Sequence, residues 1–161
     1  MIEGVKPFEH ITVKLEGLDE LQGKLKPKLY EKVVAMLMEN MALLGERTAK
    51  QVAPRDTGAL KRSIHAAVKP TSARVFSNLN YAAVVEFGRR PEQRGPPPHA
   101  LLGWLRRHGI PASAAYVVAR SIGRRGIKGR FFMKAAVDAI NMKTPRLIKN
   151  ASAAIAERWS D

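Results

Sequence analysis

At 161 residues, with 45% apolar residues and a net charge of +14, the chain is long enough to bury a core, as one domain or one domain with an appendage. The absence of cysteine excludes disulfides and thiolate metal sites and fits a reducing compartment. No apolar run approaches the roughly 18 residues that span a membrane, and Met1 to Phe8 lacks the make-up of a signal peptide, so cytosolic synthesis is expected.

His10 to Glu16 alternates, with Ile11, Val13 and Leu15 on one face, and predicts a half-buried strand that Gly17 ends. Leu18 to Leu25 has helical character, with Asp19 and Glu20 suitably placed near its start. Pro27 favours a fresh helix start. From Lys28 to Val52 the residues Leu29, Val33, Met36, Leu37, Met41, Leu44, Thr48 and Val52 recur every three or four positions, which predicts a long amphipathic helix with that stripe inward. Met36, Met38 and Met41 read as core filler.

Pro54 must stop this helix. In APRDTGALKRSI, Ala53 to Ile64, Asp56 or Thr57 then offers a side-chain oxygen to cap a short helix, Gly58 to Ser63. Ile64 to Val68 and Arg74 to Ser77 read as a hairpin around Lys69-Pro70-Thr71-Ser72. Tyr81, Val84, Val85 and Gly88 lie at helical spacing, so YAAVVEFG predicts a short helix with Phe87 at its end and Gly88 as its stop. Glu86 there can pair locally with the basic residues that follow or with a neighbouring subunit.

Gly88 to Pro98, GRRPEQRGPPP, has four prolines and no apolar periodicity. It predicts an extended or mobile loop that orders only against a partner. Helices are expected over His99 to His108 and Ala112 to Ile122, then a glycine-and-arginine loop from Gly123 to Arg130. Another helix is expected over Phe131 to Met142. Thr144 as cap and Pro145 at the first position open a last helix with Ile148, Ala151, Ile155 and Trp159 on one side.

The charge is uneven. Arg89, Arg90, Arg94, Arg106, Arg107, Arg120, Arg124, Arg125, Lys128 and Arg130 stand against one acid, Glu92, so 89–130 holds nine of the fourteen net charges. Such a block suits a polyanionic partner, either the acidic face of another protein or a DNA backbone, or it is a solvated face. Trp104 and Tyr116 fall at core-like spacing, so base stacking is not expected.

Asp56-Thr57-Gly58-Ala59 matches the aspartic-protease tetrad, but that site needs a buried apolar strand leading into the aspartate, and here the lead-in is Ala-Pro-Arg. His10, His65, His99 and His108 have no metal-ligand spacing, and GRRGIKGR is not a P-loop. No catalytic, cofactor or metal site is predicted, and the chain reads as a non-enzyme.

A helix ending in AP-x-DTGALKRSI, a hairpin, NYAAVVEFG and later GRFFMKAA resemble a family of tailed-phage neck and tail-completion proteins, the tail-component family, to which minor tail protein Z is similar. The resemblance covers roughly Leu18 to Ile140. It implies a structural virion protein, made in the host cytoplasm, that forms or joins a homo-oligomeric ring, such as a hexamer, at the head–tail junction or proximal tail end. Its partners would be connector and tail proteins, with no membrane. The interface or structural candidates it points to are Pro54, Asp56, Thr57, Gly58, Tyr81, Glu86, Phe87 and Gly88. Arg89 to Arg130 depart from the family, which often passes from its EFG segment to its C-terminal helix through a short loop.

The expected fold is α+β: a small antiparallel sheet (strands near 10–16, 64–69 and 73–78) packed by the helix 28–52 and C-terminal helices. The whole is a single domain, 1–161, with a helical, basic insertion at 89–130. A sheet of this size could self-associate edge to edge. The opposed reading is a small sequence-independent DNA-binding protein that uses the 89–130 block.

Overall fold

A computed structural model describes residues 11–13 and 27–157. The predicted first strand is seen there as β1, Ile11–Val13. Its remaining residues, the helical stretch Leu18 to Leu25, and Trp159 lie outside the described residues. The chain divides into two compact units, residues 1–82 with 131–161 and residues 83–130. The fold is α+β.

The first unit is built on α1, Pro27–Val52, which runs within one residue of its predicted bounds. Its buried stripe is Val34, Leu37, Met38, Met41, Ala42, Gly45, Ala49 and then Ala53. This corrects the predicted stripe, because Met36 and Val52 face outward at 44% and 45% exposure. The reason is close approach. A Cβ on Gly45 would stand 2.9 Å from Ile140 Cδ1 and 3.0 Å from Val75 Cγ2, so neighbouring elements seat on the small residues that a search for large side chains passes over. Met38 and Met41 fill the core as expected, and Met36 does not. Each such buried side chain contributes about 1.5–3 kcal/mol over leaving it in water.

A short helix α2, Ala59–Ser63, leads into β2, Ile64–Lys69, and β3, Ser72–Ser77. The strand order is β1-β3-β2, all antiparallel. Lys69 pairs with Ser72, so Pro70-Thr71 form the two-residue turn, with proline in the second turn position as predicted. Ile64, Ala73 and Val75 are buried, while His65, Arg74 and Phe76 alternate onto the other face. There the His65 and Phe76 rings lie 6.2 Å apart and the Arg74 guanidinium stands 6.0 Å from the Phe76 ring.

The outer edge of β2 is partly closed. Glu46 of α1 accepts the Ala66 N–H through Oε2 at 2.9 Å, and Lys50, one turn on, binds its other oxygen. The free edge considered from the sequence is therefore blocked at its middle amide.

The two C-terminal helices expected from the sequence are one helix: α6, Phe132–Glu157, with Pro145 inside it. Thr144 does not open a new helix, because its hydroxyl donates to the Ile140 carbonyl at 2.8 Å. Pro145 removes one helical donor, the one that would serve the carbonyl of Asn141. Asn141 is exposed, so water can take that carbonyl, while Leu147 against the core and buried Ala151 hold the helix beyond the proline. Packing overrides the local stop signal.

Candidate functional site

The turn after α1 is built as its residues demand. Ala53 N–H still bonds the Ala49 carbonyl, half-buried Pro54 ends the helix, and Thr57 Oγ1 accepts from Ala59 N–H at 3.3 Å. Gly58 sits at φ 77°, a left-handed conformation that costs an L-residue about 1–2 kcal/mol. Its carbonyl accepts the Arg62 N–H at 3.0 Å, and the Thr57 carbonyl accepts from Arg62 Nη1 at 3.2 Å. Asp56 and Thr57 are exposed. Asp56 lies on a solvent-facing turn, with none of the buried strand that a protease aspartate requires.

Helix α3, Ala82–Phe87, follows, with Tyr81 exposed just ahead of it. Glu86 is buried at 2% exposure and engaged, so its carboxylate faces inward, whereas Phe87 is exposed. Gly88, at φ 76°, ends the helix as predicted and starts the second unit's ribbon. Here β4, Gly88–Arg89, pairs antiparallel with β5, Ile127–Lys128.

The unit's other elements are α4, Pro98–Arg107, a 3-10 turn at Ala112–Ala114, and α5, Ala115–Arg125. Leu105, Ala115 and Ala119 are buried. Trp104 stacks on His108, with ring centroids 4.3 Å apart.

Gly88 to Pro98 corrects the expectation of a loop with nothing of its own to pack on. After the β4–β5 pairing, Glu92 N–H donates to the Arg124 carbonyl at 3.3 Å and Gln93 N–H to the Gly123 carbonyl at 3.1 Å. A Cβ on Gly95 would stand 2.1 Å from the Ala119 carbonyl oxygen, and one on Gly123 2.9 Å from Gly95 N. Backbone hydrogen bonds and glycine contacts do what apolar side chains do elsewhere. The glycine-and-arginine loop expected over Gly123 to Arg130 is also corrected, because α5 continues to Arg125 and the ribbon follows after Gly126, at φ 71°.

This construction joins two basic runs thirty residues apart in sequence, Arg94 to Arg124. Arg89, Arg90 and Arg94 lie on one side of the ladder, and Arg124, Arg125 and Lys128 on the other. All are exposed except Arg89, which is half-buried and donates to the Arg94 carbonyl. Arg106 and Arg107 close α4, Arg120 lies on α5, and exposed Arg130 donates its N–H to the Val85 carbonyl at 2.8 Å. Among the described residues no ion pair engages Arg90, Arg94, Arg124, Arg125 or Lys128. Like charges gathered with a single acid, Glu92, among them repel, and an anionic partner relieves that repulsion.

Two residues read at core-like spacing from the sequence, Trp104 and Tyr116, are not core: Tyr116 is 67% exposed, as is its neighbour Val117, and Trp104 is also exposed. The signal was present in the spacing: Tyr116, Arg120 and Arg124 repeat every four residues, a polar-side period that carries Tyr116 outward.

Residues 16–88 match the family described as "Bacteriophage HK97-gp10, putative tail-component". The match supports a structural role as a phage tail component. It stops at Gly88, where the basic unit's ribbon begins. No curated protein and no solved structure matches the chain.

Proposed function

We propose, from the tail-component match over residues 16–88, that the chain is a structural protein of a tailed-phage virion which joins an oligomeric ring at the head–tail junction or proximal tail end. Its work is assembly, without bond chemistry. The first unit, which holds most of the matched residues, is the ring-building part, and the second, unmatched beyond Gly88, is a docking unit that engages a neighbouring component through its cations. The observation that carries this division is the end of the family match at Gly88, six residues into the unit that gathers Arg89, Arg90, Arg94, Arg124, Arg125 and Lys128 on one ladder.

Electron microscopy of particles from a phage carrying this gene, with the chain labelled at its C-terminus, tests the reading. The expected result is label at the neck or proximal tail end, with a copy number that matches a closed ring. Particles that lack the protein overturn it. The charge cluster also favours a second reading, sequence-independent DNA binding. In that case duplex DNA binds the purified chain with an affinity that falls steeply with salt, about 0.9 log units per log unit of salt for each phosphate contact.

A further inference from the structure

The inner side of α5 is committed within its own unit. Ala115, Ala119 and Gly123 are buried, and the backbone at Gly95 lies directly on the Ala119 carbonyl. At 3.6 residues per turn, Tyr116, Arg120, Arg124 and Val117 fall within about 100° of arc on the flank beside that inner side. All four are exposed. The face is graded along the helix axis, apolar at its N-terminal end and cationic at its C-terminal end.

Resting on the reading of the chain as a virion component, we infer that this face of α5 docks an acidic segment of a different virion protein, one that carries an apolar anchor among its acids. Three observations select that occupant. Val117 and Tyr116, each 67% exposed on a rigid helix, give no benefit to a phosphate backbone, and valine cannot stack on a base. A tyrosine and a valine beside two arginines form an aromatic–arginine surface of the kind that anchors protein partners. A second copy of this chain is a poor source of acids, because it carries the same net charge of +14. Glu46 is bound to Lys50 and Ala66, Asp138 pairs with Lys134 and Glu86 is buried, while the exposed Glu31, Glu39 and Glu92 stand apart in sequence. Charge complementarity therefore favours a different, acidic chain.

A photo-crosslinking residue, benzoylphenylalanine, placed at position 117 in the full-length protein and illuminated in assembled particles tests the inference. The expected product is a crosslink to a peptide of another virion protein with at least two Asp or Glu residues flanking an apolar one. A synthetic copy of that peptide should then bind the purified chain, and both Val117→Ser and the pair Arg120→Glu, Arg124→Glu should weaken binding by about tenfold or more. Circular dichroism should show these variants folded. Particles that contain the protein but crosslink position 117 to DNA, to another copy of this chain, to a peptide without acids, or to nothing overturn the inference and leave the tail reading standing. Particles that lack the protein overturn both.

Discussion

In the first unit the close approach over Gly45 is made by side chains, those of Ile140 and Val75; in the second the close approaches over Gly95 and Gly126 are made by backbone, at Ala119 and Arg89. Met38, Met41 and Phe132 disappear from solvent in the former, while the latter leaves Tyr116, Val117 and Phe87 outside. Side-chain packing tolerates substitution by volume, because neighbours can shift rotamers. Backbone packing on glycine tolerates almost none, because a carbonyl oxygen cannot move out of the way of a Cβ.

The largest expected effect is on the side-chain-packed unit. Met41→Ala empties a fully buried position in the core cluster and should cost about 2–5 kcal/mol by chemical denaturation. A loss under about 1 kcal/mol would show that this core is loosely packed and would weaken the contrast. Next, Gly95→Ala drives a methyl to 2.1 Å from the Ala119 carbonyl oxygen and should destabilise by about 1–3 kcal/mol. Hydrogen exchange should locate that loss at the Glu92 and Gln93 amides, with α1 protection unchanged; equal loss in α1 would contradict separate modes of packing. Gly58→Val, at φ 77°, probes the turn of the first unit and should cost about 1–2 kcal/mol. A variant that melts with wild type would show the turn to be undemanding. Smallest is Asp56→Asn, which keeps the oxygen, removes the charge and should shift stability by no more than about 0.5 kcal/mol. Any peptidase activity of wild type that disappears in this variant would overturn the assignment of Asp56 to a turn.

The contrast also explains what the sequence disclosed. Helix α1, the hairpin with Pro70 in its turn, and the stop at Gly88 follow from local rules of periodicity, turn chemistry and backbone freedom, and they stand where those rules put them. The inward stripe of α1 was misread because Ala42, Gly45 and Ala49 contribute by being small, which a hydrophobic pattern does not register. Pro145 reads as a helix start because nothing local reports that Leu147 and Ala151 hold the turns beyond it. The order of Gly88 to Pro98 was the least legible of all. Its partners are carbonyls and amides of Ala119, Gly123 and Arg124, which no side-chain pattern encodes.

Glu46 has a consequence for the life of the protein before it finds a particle. A structural part is produced in many copies, and each copy carries a three-stranded sheet. With the Ala66 amide occupied by a carboxylate and Lys50 beside it, a strand from another molecule would have to expel a charged pair to extend β2. A sheet held in this way is harder to lengthen at Ala66, so growth of ribbons through that edge is hindered.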